Sequence, residues 1–140
     1  GGAARAIAFG LKERGAGLTV LNRTVKKAEM LASEIGCSHG GLEDAASATF
    51  DMIINTTSVG MFPHQDGTPI RKECLGDALV FDMVYNPLKT RLISEAEASG
   101  CSSVMGIEMF VNQAAEQFTL WTDREAPRDL MKKVVVEALA

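Results

Sequence analysis

Short apolar runs alternate along the chain with amphipathic stretches whose apolar residues recur at three- and four-residue spacing. Ala3, Ala6, Ile7, Gly10 and Leu11 follow helical spacing, and Lys12, Glu13 and Arg14 close that run before Gly15. Leu18 to Leu21 is an apolar run of strand type. Thr24 stands where a helix N-cap belongs, Ala28, Leu31, Ala32 and Ile35 form the apolar face behind it, and Gly36 sits at the helix-ending position. Residues 51 to 55 and Ala78 to Met83 read as buried strands, separated by a long loop carrying Pro63, Gly67 and Pro69. The pattern then predicts a helix over Thr90 to Ser99 closed by Gly100, and a short strand over Ser103 to Met105. Ile107, Phe110, Val111, Ala114, Phe118 and Trp121 mark one face of a long helix, with Trp121 as a core residue. A last helix opens near Pro127 and is expected to bury Leu130, Met131, Val134, Val135 and Ala138.

Strands that alternate with helices imply right-handed crossovers, so the predicted class is α/β: a Rossmann-like, doubly wound, mainly parallel sheet with helices on both faces. Such a sheet binds ligands beyond the carboxyl ends of its strands. The loops after Leu21, Asn55, Met83 and Met105 are therefore where chemistry is sought.

Composition narrows the classes. The 140 residues make one domain, 46% hydrophobic and 23% charged, with a formal net charge of −4 and no basic block, which excludes nucleic acid as an expected partner. No run approaches the length of a membrane span. Cys37, Cys74 and Cys101 lack metal-ligand spacing and read as reduced thiols, in keeping with a cytoplasmic location. His39 and His64 have no acidic or cysteine neighbours at ligand spacing and read as structural, and no metal is expected.

Four clusters fall on the loops of interest, and a fifth opens the chain. Gly1-Gly2-Ala3 begins a helix, where glycines let backbone approach a pyrophosphate, although two glycines at a chain start carry little alone. Asn22-Arg23-Thr24 ends the strand that meets the adenosine ribose in a dinucleotide fold. No acid is present to bond a 2′-hydroxyl, whereas Arg23 and Lys27 can hold a 2′-phosphate. A solvated Arg and Lys beside an N-cap is the plainer alternative. Thr57 and Ser58, in Asn55-Thr56-Thr57-Ser58-Val59-Gly60-Met61, can hold ribose and nicotinamide groups or make a polar turn. Met83 can pack on a nicotinamide or sit in the core, and Tyr85 can reach a substrate or merely occupy a turn. Gln113 lies beside the apolar stripe of the long helix, one turn before Gln117.

Taken in order, the motifs resemble the shikimate dehydrogenase family, from the first residue to about Pro127. Gly1-Gly2-Ala3-Ala4-Arg5-Ala6 is similar to the end of that family's G-A-G-G-A-x-R-A loop, and Asn22-Arg23-Thr24-x-x-Lys27 to its N-R-T-x-x-R/K phosphate clamp. The run from Asn55 to Met61 matches N-x-T-S-x-G-M, Asp82 to Thr90 matches D-x-x-Y-x-P-x-x-T, and Gly106 to Ala115 is similar to G-x-x-M-x-x-x-Q-A. The likeness is particularly to the dehydrogenase part of bifunctional dehydroquinate dehydratase/shikimate dehydrogenases. It implies NADP as cofactor, with Gly1, Gly2 and Ala3 at the pyrophosphate, Asn22, Arg23, Thr24 and Lys27 around the 2′-phosphate, and Thr57, Ser58, Met83 and Gly106 near the nicotinamide. Tyr85 and Gln113 would face shikimate or 3-dehydroshikimate.

The resemblance also implies what is absent from residues 1–140: the family's catalytic Lys and Asp, its N-terminal substrate domain, and the first strand of the cofactor sheet. The expected fragment is truncated at its first strand and inactive by itself, and it is either of low stability or rescued by self-association through its sheet. A quinate or shikimate dehydrogenase using NAD, and a non-catalytic NADP-binding regulatory module, are the competing readings. Arg23 and Lys27 oppose NAD, and Tyr85 with Gln113 oppose a pure sensor.

Overall fold

The computed structural model describes residues 1–139, which fall into two compact units, Gly1–Thr49 and residues 50–139. The first unit contains α1 (Gly2–Glu13), β1 (Thr19–Leu21), α2 (Val25–Ile35), β2 (Ser38–Gly40) and a 3₁₀ turn (Leu42–Ser47). β1 and β2 pair in parallel, Thr19 opposite Ser38 and Leu21 opposite Gly40. α2 buries Ala28, Leu31, Ala32 and Ile35, the four residues its spacing marks, and ends at Gly36 with φ +70. That left-handed turn suits glycine, which has no Cβ to strain there. Ala8 packs with Leu31 and Ile35, joined by Ala4, Leu18, Val20 and Cys37. The inward face of α1 is thus set by Ala4 and Ala8, while the expected Ala3 and Ala6 are exposed. Two polar ties hold α1 to α2: an Arg5–Glu34 ion pair at 2.5 Å and a 2.8 Å bond from Lys12 Nζ to the Gly36 carbonyl. β2 is absent from the sequence prediction, because Ser38-His39-Gly40 has no apolar run and becomes a strand only through its ladder with β1.

The second unit contains β3 (Met52–Asn55), a 3₁₀ turn (Lys72–Cys74), β4 (Leu79–Asp82), α3 (Arg91–Ala98), β5 (Ser103–Val104), α4 (Gly106–Thr122) and α5 (Arg128–Leu139). Its three strands form a parallel sheet in the order β3-β4-β5. The parallel class follows the prediction, but the strands form two sheets and not one continuous sheet. Leu75, Val80, Leu92, Ala96 and Cys101 make the core, with Ile53 and Ile70 against it. β3 is less buried than its run of apolar residues suggests: Met52 is exposed and only Asn55 is fully buried.

The two C-terminal helices depart furthest from expectation. Trp121 is 76% exposed and Leu120 81%, so the apolar stripe of α4 leaves the core before the helix ends. α5 buries no residue: Leu130, Val134 and Ala138 are exposed, and Met131 and Val135 are half-buried. Its attachment to α4 is polar, with Arg128 bonding Asn112 and Glu116 and Lys132 pairing with Glu108. The amphipathic pattern of α5 is real, but among the described residues its apolar face is covered only in part, at Met131 and Val135. No helix among them is long and apolar enough to cross a membrane. The three cysteines are unpaired, His39 and His64 are exposed, and no metal-ligating cluster occurs among the described residues.

Candidate functional site

In the first unit the candidate residues gather at two helix starts. Gly1 is the N-cap of α1, Gly2 and Ala3 open the helix, and all three are exposed. A Cβ on Gly1 or Gly2 would meet nothing within 4 Å, so packing inside this chain does not account for glycine at either position. At the β1–α2 junction, the Asn22 side-chain oxygen accepts the Thr24 N–H at 2.9 Å, folding the turn that presents Arg23. Thr24 occupies the N-cap position, as its place in the sequence indicates, but its hydroxyl makes no capping bond. The first turn of α2 carries Lys26 and Lys27 and no acid. Cations at this end oppose the helix dipole, which favours negative charge there. Arg23 and Lys27 are exposed and join no ion pair among the described residues. A helix N-terminus with an unfilled side-chain cap, two lysines and a neighbouring arginine is suited to a phosphate. The spacing of the sequence singles out Arg23 and Lys27 but not Lys26, whose place in the same first turn is the signal that marks it.

In the second unit the candidates are joined by a buried polar network. Asn55 ends β3 and Asp82 ends β4, 3% and 0% exposed. Asn55 Nδ2 donates to Asp82 Oδ1 at 2.9 Å, while Asn55 Oδ1 accepts both the Thr57 N–H at 3.0 Å and the Thr57 hydroxyl at 2.7 Å. Thr57 Oγ1 in turn accepts the Val59 N–H. Asp82 Oδ1 also accepts the Val84 N–H, and Oδ2 accepts the Thr90 hydroxyl at 2.6 Å. Every buried side-chain polar atom among the described residues has a partner. The sequence pattern places Asn55, Asp82 and Thr90 in motifs but gives no role to Asp82 or Thr90, since what they do depends on contacts across 27 and 8 residues.

Around this network the site residues take their positions. Thr57 and Ser58 are exposed on the turn after β3, which closes at Gly60 with φ +87. Met83, half-buried, follows β4 and donates its N–H to the Asn55 carbonyl at 3.0 Å. The Phe62 N–H bonds the Asn86 carbonyl at 2.9 Å and ties the two loops together again. Tyr85 stacks on Phe110 of α4, ring centroids 4.2 Å apart. Gln113 stands one turn further along α4 and is exposed. Gly106 opens α4 directly against the chain after β4: a Cβ there would lie 2.7 Å from the Met83 carbonyl oxygen and closer still to that of Val84. The second unit thus brings Thr57, Ser58, Met83, Tyr85 and Gly106 onto joined loops, with Gln113 on the helix that Tyr85 stacks against.

A parallel α/β fold with an acid-free, cationic strand tip and polar turns at its carboxyl strand ends defines the class of dinucleotide-binding Rossmann-like domains. The profile of the family described as Shikimate 5′-dehydrogenase C-terminal domain matches residues 106–136. The chain is 48% identical over 150 aligned residues to the shikimate dehydrogenase (NADP(+)) of Methanosarcina mazei, covering 99% of this chain and 53% of that protein. Among solved structures, a shikimate dehydrogenase in complex with NADP+ superposes with a TM-score of 0.93 at 35% identity, over 100% of this chain and 52% of the other. The Thermus thermophilus enzyme in complex with NADP(H) and shikimate gives 0.89 at 36% identity, over 99% and 52%. Along almost its whole length the chain is similar to shikimate dehydrogenases, and it spans about half the length of the curated relatives it matches.

Proposed function

We propose that this chain is the cofactor-binding part of an NADP-dependent shikimate dehydrogenase, an oxidoreductase that interconverts 3-dehydroshikimate and shikimate. The observation that carries the reading is the β1–α2 junction: no acid, an unfilled helix N-terminus, and Arg23 beside Lys26 and Lys27. NAD-selective sites need a carboxylate there for the ribose hydroxyls, and a guanidinium is the better group for a 2′-phosphate.

In this reading Asn22, Arg23, Thr24 and Lys27 hold the 2′-phosphate, and Gly1, Gly2 and Ala3 offer backbone to the pyrophosphate. Thr57 and Ser58 bond the nicotinamide ribose and amide, Met83 packs on the ring, and Gly106 keeps that space free of a side chain. Tyr85 and Gln113 supply polar contacts to the hydroxyls or carboxylate of shikimate. The cofactor supplies the hydride chemistry, and the protein positions it and excludes competing reactions. No side chain of residues 1–140 is assigned the proton transfer, so the chain is expected to bind cofactor without turning substrate over. Self-association through the ladder edges of β1 and β3, each paired on one side only, belongs to the same reading.

Calorimetric titration with NADPH and with NADH tests the assignment. The expected outcome is NADPH-selective binding that Arg23→Ala weakens by about 1–3 kcal/mol, the scale of a hydrogen bond to a charged group. Equal binding of the two nucleotides, or an Arg23→Ala variant with unchanged affinity, would remove the phosphate clamp from the account.

A further inference from the structure

We infer that Asp82 is a positioning residue that sets the conformation of Thr57 through Asn55, and through it the part of the site that receives the nicotinamide half of the cofactor; the inference rests on the function proposed above. Asp82 is fully buried, and its carboxylate is the one point where the end of β3, the loop after β4 and the start of α3 converge. A carboxylate only accepts hydrogen bonds. It therefore fixes which end of the Asn55 amide faces it: Nδ2 toward Asp82, and so Oδ1 toward Thr57. That oxygen takes both the N–H and the hydroxyl hydrogen of Thr57, which leaves the Thr57 hydroxyl oxygen to receive the Val59 N–H. The polarity of the turn thus follows from a carboxylate two links away, with a longer 3.4 Å bond from Asn55 Nδ2 to the Val59 carbonyl acting in the same sense.

Thr90 locks the same carboxylate from the other side. Its hydroxyl donates to Asp82 Oδ2 and accepts the Ile93 N–H at 3.3 Å, so it caps α3 with one lone pair and holds Asp82 with its hydrogen. An amide in place of the carboxylate carries a donor. In Asp82→Asn the new N–H₂ faces either the Thr90 hydroxyl, which can accept it only by giving up its own donation, or both Asn55 Nδ2 and the Val84 N–H. Relief of the second clash turns the Asn55 amide over and sets its N–H₂ against the Thr57 N–H. The substitution is nearly isosteric, so its effect is on hydrogen-bond direction and not on packing volume.

The test separates the two halves of the ligand. Adenosine 2′,5′-bisphosphate carries the phosphate that Arg23 and Lys27 would hold and lacks the nicotinamide; NADPH carries both. Binding of each to the 140-residue chain is measured for the wild type, Asp82→Asn, and Leu92→Val, a core change in α3 outside the network. Asp82→Asn is expected to weaken NADPH by about tenfold, the scale of one or two misdirected hydrogen bonds, and to leave the bisphosphate unchanged. Leu92→Val should lower the melting temperature without altering the ratio of the two affinities. In nitrogen-15 NMR spectra of the free chain, the Thr57 amide should shift and lose exchange protection in Asp82→Asn but not in Leu92→Val. Thr90→Val, which removes one donor to the carboxylate together with the α3 cap, should act on Thr57 in the same direction and serves if Asp82→Asn does not fold.

Unchanged NADPH affinity in a variant that still binds the bisphosphate would overturn the positioning role, as would an unmoved Thr57 amide. A wild-type chain that binds neither compound would sink the cofactor reading itself, and the Thr57 signal would still decide whether Asp82 directs the turn.

Discussion

A Cβ at position 106 would come within 2.7 Å of the Met83 carbonyl oxygen, in a place where the neighbouring atoms are backbone and cannot swing aside. Gly106→Ala is therefore expected to destabilise the second unit by about 1–3 kcal/mol, the usual range for overpacking, read as a shift in urea midpoint. The same substitution at Gly100, where a Cβ meets nothing but φ is +84, is strained for a different reason and involves no clash. Gly106 shows what single residues can and cannot announce. A glycine at a helix start in a family motif is visible in the sequence, but its physical reason, a backbone-to-backbone approach between α4 and the chain after β4, is not. Asp82 is the sharper case. Its type and place are legible, its burial and three bonds are not, because they depend on Asn55 and Thr90 arriving from other elements.

At the scale of elements, several helices could be read from spacing because burial follows the same period: α2 buries the four residues its pattern selects, and α3 is followed by Gly100 as its end suggests, with Thr90 serving as its cap and not as its first helical residue. Periodicity failed where an element owes its existence or its environment to something else. β2 is a strand by pairing alone, and α5 has an apolar stripe that is only partly covered among the described residues. The tie of α5 to α4 through Arg128, Lys132, Glu108, Asn112 and Glu116 is exposed and largely ionic, the kind of contact worth least in water and screened by salt. Hydrogen exchange should therefore show amides of Arg128–Leu139 losing protection as salt rises to about 1 M, where charges are screened beyond about 3 Å. Those of α3, held by the Leu92, Ile93 and Ala96 side chains in the core, should not change. Salt-independent exchange in α5 would mean that its half-buried Met131 and Val135 carry the attachment.

For the whole molecule, the division into two units and two sheets predicts unequal stability. The core of Gly1–Thr49 is small: beyond Leu31 and Ile35 its fully buried apolar residues are alanines. At about 40–60 residues, units of this size are marginal without further support. Residues 1–49 are thus expected to exchange and unfold at lower urea than residues 50–139, followed residue by residue in NMR spectra. A single shared midpoint would show that the two unfold as one. The candidate site was legible in proportion to its locality. Arg23, Thr57, Tyr85 and Gln113 lie in motifs readable along the chain, whereas the network behind Thr57 belongs to the folded sheet. The aromatic residues carry one more consequence. The chain has a single tyrosine and a single tryptophan. Tyr85 is stacked on Phe110 at the candidate site, and Trp121 is exposed on the same helix three turns on. Its intrinsic fluorescence is thus already divided between two reporters, one ring stacked at the candidate site and one open to solvent along α4, with no label needed.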